Sequence, residues 1–312
     1  MKELFNIFIF PGFLFLTAFG FAVEFIDRKL YARLQSRVGP PWFQPVADFV
    51  KLLGKEDIIP EEANPKVFST MPVLALAAAV SAFFYIPLWS SNALYSFKGD
   101  IIVVLYLLTI PTLAVFLGGW YSTSLYSRIG AVRSLTQLFA YEVPLFMCIM
   151  ANALLANTWS LSGMSLFYTA HPWLWLTSLP SFIVSIITLM GKLEKAPFDS
   201  PEAETEIVAG TLTEYSGRLL ALFKLTKDVE AIVGAALLAA VFLPFGLGLG
   251  PLAAFAIFIL KILLIVVIIS VFRTIFARLR IDQMMKFCWQ YLATVAFLQI
   301  LVNLIIKGFL LR

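Results

Sequence analysis

Apolar runs of roughly 20 residues recur along the whole chain, and a run of that length crosses a bilayer as one helix. Eight are discernible, at about 4–25, 71–92, 101–121, 138–157, 173–190, 218–243, 251–272 and 288–309. They show no period-2 alternation, so a membrane β-barrel is not expected. Only 13% of the 312 residues are charged, too little polar surface for a soluble protein of this size. The expected fold is all-α: a single polytopic membrane domain over 1–312, with about eight spans and a long first loop carrying an amphipathic helix. The first run is too long for a signal-peptide core. Glu24, Asp27, Arg28 and Lys29 follow it where small residues would mark a cleavage site, so it reads as a retained first helix.

Charge sets an expected orientation. The loops after the first, third, fifth and seventh spans, with their flanks, hold sixteen lysines and arginines, against four on the opposite side. The positive-inside rule makes the richer side cytoplasmic and places both termini outside, in a cell membrane. A net charge of +4, scattered as it is, gives no sign of nucleic-acid binding. Cys148 and Cys288 lie far apart and His171 is the one histidine. No zinc site, iron–sulfur cluster or bis-His haem can be built from this chain alone. Redox cofactors would therefore sit in partner subunits, and no catalytic centre or metal site is expected here.

The acids are concentrated in one place. In KLEKAPFDSPEAETEIVAGTLTEYSGRLLALFKLTKDVE, residues 192–230, Asp199, Glu202, Glu204, Glu206 and Glu214 fall close together. A short helix begun at Pro201 would set Glu202 and Glu206 at i,i+4 on the side of Asp199. Repulsion at that spacing would let one of them hold a proton more readily. The same face could instead be merely solvated. Glu214 and Arg218, and Lys224 and Asp228, share the i,i+4 spacing, and Lys227 and Glu230 are i,i+3, so pairing within the sixth span is expected. Mutual neutralisation makes such a ladder tolerable inside the membrane, and it is also what a hydrated proton path needs. Glu142 in the fourth span and Lys261 in the seventh are further intramembrane charges. A silent pair between Glu142 and Arg133 is the alternative.

The first loop opens with Arg28, Arg33 and Arg37. A short helix from about Val46 to Leu53 would follow, with Phe49, Val50, Leu52 and Leu53 at the interface and Asp48, Lys51 and Lys55 in water. It reads either as a lipid-surface helix or as a docking ledge for a soluble subunit. Arg273, Arg278, Arg280 and Lys286 form a basic collar before the last span. Trp159, Tyr168, Trp173 and Trp175 suit the opposite headgroup belt, and His171 reads as an interfacial residue without chemistry.

Four segments, RVGPPWFQPVADFVKLLGKEDIIP, YSRIGAVRSLTQLFAYEVP, APFDSPEAETEIVAGTLTEYSGRLLALFKL and FARLRIDQMMKFCW, resemble in order the signature segments of the H subunit of respiratory complex I. They resemble equally its relatives in group 4 membrane-bound NiFe hydrogenases. The resemblance implies an eight-helix subunit joining a soluble electron-transfer arm to an ion-pumping membrane arm. The implied partners are hydrogenase-like large and small subunits with iron–sulfur clusters and, in the hydrogenase version, NiFe. Antiporter-like membrane subunits would lie beside it. By the same resemblance, Glu142, Asp199, Glu202, Glu204, Glu206 and Glu214 fall on acids of the coupling path, and Arg28, Arg33 and Arg37 beside the quinone chamber. Two departures stand out. The loop after Gly39-Pro40 is short, and Lys192 and Lys195 stand where complex I sequences carry Glu and Arg. Both touch the chamber rim, count against quinone binding, and favour the ferredoxin-linked branch of hydrogenases and sulfur-reducing complexes. A quinone-chamber subunit and a stand-alone secondary transporter are the alternatives.

Overall fold

The computed structural model describes residues 2–88, 90, 92–246 and 250–310, apart from the side chains of Lys2, Glu204, Thr205 and Leu310. The helices are α1 (Lys2–Phe8), α2 (Phe13–Leu34), α3 (Gln44–Leu53), α4 (Pro65–Phe83), α5 (Asp100–Tyr121), α6 (Leu125–Ala156) and α7 (Leu161–Ala170). They continue with α8 (Leu174–Thr177), α9 (Leu179–Lys192), α10 (Glu204–Ile207), α11 (Gly217–Phe242), α12 (Pro251–Ile275), α13 (Ile281–Lys286) and α14 (Ala293–Leu310). A π-helical turn, Phe287–Leu292, joins α13 to α14. Among the described residues there is no strand, as a lipid-embedded backbone that must satisfy its own hydrogen bonds requires of anything but a closed barrel.

Six helical stretches are long and apolar enough to span a membrane: Glu3–Leu34, Pro65–Phe83, Asp100–Tyr121, Leu125–Ala156, Pro251–Ile275 and Ile281–Phe309. The remaining two expected spans differ for separate reasons. Residues 173–190 are divided between α8 and the 14-residue α9. Residues 218–243 form the 26-residue α11, whose charges take it out of the apolar class. Other boundaries move as well. The first run breaks before Gly12, and the fourth begins at Leu125, thirteen residues ahead of its apolar stretch.

Helix α11 is the axis of the bundle, packed against α2, α3, α4, α9 and α12, while α6 packs against α5, α9 and α14. From Val229 onward nearly all of α11 is buried. Peripheral α14 turns Phe297, Leu298, Leu301 and Ile305 outward and Gln299 and Asn303 inward. The latter two donate to the carbonyls of Thr177 (2.7 Å) and Ala151 (2.8 Å), so the bundle's few polar side chains are spent on helix contacts.

The amphipathic helix of the first loop exists as α3, two residues longer at its start than the pattern indicated. Leu52 is buried and Phe49 stacks near Phe21, with ring centroids 5.4 Å apart. These two residues therefore face the bundle, while Val50 and Leu53 remain exposed. Tyr168 is also corrected: it is 2% exposed and donates to Asn152 Oδ1 at 2.7 Å, so it fixes α7 to α6 and does not sit in a headgroup belt. Lys261 donates to the carbonyl of Phe245, just past the C-terminal end of α11. It lies three helical turns from the basic end of α12 and outside the acidic cluster.

Candidate functional site

The loops after α2, α5, α9 and α12 meet at one end of the bundle, and the acidic segment 193–216 lies among them. Gln137 of α6 fixes its start by donating to the carbonyls of Gly191 (2.6 Å) and Phe198 (2.7 Å). The segment is then held by cations from separate elements. Arg278 pairs with Asp199 at 3.0 Å, Arg133 with Glu206 at 2.6 Å, and Lys227 with Glu202. The expected single acidic face is thus not formed. A 3-10 turn, Ser200–Glu202, ends at Ala203 before α10 begins, and this break sends Glu202 and Glu206 to different partners. Glu206 does not hold its proton more readily. The Arg133 hydrogen bond and charge keep its carboxyl below the usual glutamate range. The Glu204 side chain is outside the described residues.

The ladder on α11 is also rearranged, because its charges pair outward rather than along the helix. Lys227 lies 2.7 Å from Glu194, which also accepts from Ser134 Oγ at 2.9 Å. Glu230 lies 2.9 Å from Lys192, and both side chains are under one-tenth exposed. Neither Lys227 with Glu230 nor Lys224 with Asp228 forms an ion pair among the described residues. Arg218 takes Asp57 at 2.8 Å in place of Glu214. The cause is local: α11 starts only at Gly217, so Glu214 precedes the helix and the i,i+4 geometry never arises. Gly217 has φ +57°, and a Cβ there would lie 2.4 Å from Asp57 Oδ1. Asp57 also accepts from the Arg218 backbone N–H at 2.6 Å, a carboxylate set at a helix N-terminus. Desolvation works against the Asp57 charge, but the Arg218 hydrogen bonds outweigh it and hold the carboxyl below its ordinary range.

Asp27 of α2 is a second hub. It is 1% exposed and lies 2.7 Å from Lys195 and 3.4 Å from Arg273, while Ser270 Oγ donates to it. The Arg273 guanidinium also sits 4.2 Å from the centre of the Tyr31 ring. Nearby, Arg28 pairs with Glu24 (2.5 Å) and Asp48 (3.0 Å), tying α2 to α3. Between α2, α3, α11 and the acidic segment lies a cavity of about 550 Å³. More than half of its lining side chains are charged, acids and bases in nearly equal number, including Asp27, Lys195, Glu202, Lys224, Lys227 and Asp228.

Of the residues singled out from sequence, Arg28, Asp48, Arg133, Asp199, Glu202, Glu206, Glu230 and Arg278 join this network. Glu142 is half-buried on α6 and has no ion pair or hydrogen bond to its side chain among the described residues, so the silent pair with Arg133 does not form. Arg33, Arg37, Lys51 and Arg280 are exposed, without ion pairs among the described residues. Sequence reading passed over Glu24, Asp27, Lys192, Glu194, Lys195, Lys227 and Arg273 as site residues. The available signal was the run Lys192–Lys195 itself, three ionisable groups at the end of an apolar helix. Among the described residues no group of three or more His, Cys, Asp or Glu side chains could hold a metal ion.

The Glu206 pair predicts a pH effect. A carboxyl with a depressed folded pKa contributes stability above its unfolded value and loses it as pH falls through the folded one. The Tm advantage of wild type over Glu206→Gln should be present above the ordinary glutamate value of 4.5 and shrink below it. An advantage that does not change over pH 3–7 would count against the pair.

The arrangement can hold, shift and exchange charge between a loop and a membrane helix. The NADH dehydrogenase family model matches residues 6–304. Subunit 8 of the NADH-quinone oxidoreductase of Thermus thermophilus is 35% identical over 305 residues, 93% of this chain and 83% of that protein. The H subunit of the Bacillus thuringiensis subsp. konkukian enzyme is 34% identical over 319 residues, 97% of this chain and 95% of that one. A chain of the membrane-bound sulfane sulfur reductase, an archaeal respiratory membrane complex, superposes with a TM-score of 0.84 at 28% identity, covering 93% of this chain and 96% of its own. The chain belongs to the NADH dehydrogenase family, as an H-type membrane subunit related to that of complex I.

Proposed function

We propose that this chain is the anchoring and energy-coupling subunit of a ferredoxin-linked oxidoreductase of the hydrogenase or sulfur-reductase type. Soluble hydrogenase-like subunits dock on the basic end, which is cytoplasmic, with both termini outside. Antiporter-like subunits lie beside it in the membrane. Electron transfer in the partners alters charge at the acidic segment, and the ion pairs onto α2, α6 and α11 pass the change to the membrane carboxylates. The carrying observation is that the segment is pinned to α11 and α2 through buried pairs, Lys227–Glu194 and Lys195–Asp27, beside a charged cavity. The likeness to the sulfur reductase chain over nearly its whole length supports the choice of branch.

A quinone-chamber role is the second reading, favoured by the NADH-quinone relatives and by a cavity in the size range of small-ligand sites. Such sites are mostly apolar, whereas this lining is mostly charged, which suits water and ions better than a quinone. Affinity purification from native membranes, followed by assays of the isolated complex, separates the two. The expected result is a complex with a hydrogenase-like large subunit that accepts electrons from reduced ferredoxin and is insensitive to quinone-site inhibitors. A complex that reduces quinone and is blocked by such inhibitors would overturn the reading.

A further inference from the structure

Lys192 is the last residue of α9 and is 5% exposed. Its ammonium reaches two other helices. It donates to the carbonyl of Leu108, in the stretch of α5 that Pro111 loosens, and it lies 2.9 Å from Glu230 Oε1 on α11. That Oε1 has no hydrogen bond of acceptable direction, so the contact to Glu230 is ionic and loosely aimed. A third neighbour is Glu142 on α6. It has no pair of its own among the described residues, and Lys192 is the charged group whose field reaches it. The other groups facing this point are Tyr141, hydrogen-bonded to Thr112 at 3.1 Å, together with Glu194 and Lys227. One ammonium therefore serves two intramembrane carboxylates and can pair closely with one at a time. Lys192 also adjoins the acidic segment. Glu194, two residues on, has φ +51° and is tied to both Lys227 and Ser134, so movement of the segment pulls directly on Lys192.

We propose that Lys192 is a two-position cation, paired with Glu230 and the Leu108 carbonyl in the state described and with Glu142 in the other, and that this exchange carries the segment's state to the membrane carboxylates. The inference rests on the coupling reading above and names its moving part. The exchange balances: as the ammonium leaves Glu230, that carboxylate takes up a proton, and as it reaches Glu142, that carboxyl releases one. Lys192 keeps its own protons throughout. A compact ammonium on a flexible four-carbon stem suits such a move better than a planar guanidinium, which would fix itself on one carboxylate.

The test uses the whole complex reconstituted in liposomes, with ions moved per electron as the readout. Lys192→Met with Glu230→Gln removes both charges, so no buried charge is left unpaired. The expected result is an assembled complex that still passes electrons but has lost ion movement. Wild-type ion movement in this neutral pair would reduce Lys192 to a structural role and overturn the proposal. Should that pair fail to assemble, Lys192→Arg is read instead. It keeps the charge, and the proposal expects ion movement to be lost while wild-type movement overturns it. Glu142→Gln separates the two levels. If it moves ions normally, the coupling reading falls and this inference with it. If it does not while the neutral pair does, only the inference about Lys192 falls.

Discussion

Replacing Asp27 by Ala is expected to destabilise the assembled subunit by about 3–5 kcal/mol, the usual cost of removing one partner from a buried ion pair. The magnitude follows from burial. Asp27 is 1% exposed, and its loss strands Lys195 and Arg273 in a region with little water. It also removes the acceptor that ties α2 to Ser270 of α12 and to the acidic segment. The apparent Tm of the purified complex should fall by several degrees. Segment 193–216 should become the first site of proteolysis. Asp27→Leu combined with Lys195→Met should recover most of the loss, because an apolar pair of similar volume is often no worse than the ions it replaces. Arg273 keeps its stacking on Tyr31 in that variant. A Tm for Asp27→Ala within a degree of wild type would mean that Asp27 does not carry the segment.

The spans could be read from sequence because the signal is local: an apolar run of sufficient length is a membrane helix wherever it falls. Their interruptions depend on context. Nothing in the apolar pattern of 173–190 separates α8 from α9, and the early start of α6 lies in a stretch containing Arg128 and Arg133. The carboxylates of the acidic segment were legible as a cluster, but their partners were not. Local spacing suggested Glu214–Arg218, Lys224–Asp228 and Lys227–Glu230, and none of these pairs forms among the described residues. Arg218 is paired with a residue 161 positions away and Lys195 with one 168 away. Partners at that separation are chosen by helix packing, which spacing rules cannot see. The two lysines at 192 and 195, first notable only as departures from a familiar pattern, prove to be the groups that fasten the segment to α11 and α2.

The second large effect is expected at Glu142. It is half-buried in a membrane-spanning helix without an ion-pair partner among the described residues, whereas Glu230, Glu194 and Asp27 are each neutralised by a cation. An unpaired carboxylate at membrane depth is costly, which points to a working residue rather than a fastener. Glu142→Gln keeps shape and hydrogen-bonding capacity and removes only the ability to ionise. It leaves every ion pair of the network in place, so assembly and thermal stability should be unchanged. The most direct measurement is ions moved per electron by the reconstituted complex carrying Glu142→Gln, with electron transfer monitored in the same vesicles. The predicted result is an intact complex that transfers electrons and moves ions only at background level. Wild-type ion movement in that variant would contradict the coupling role.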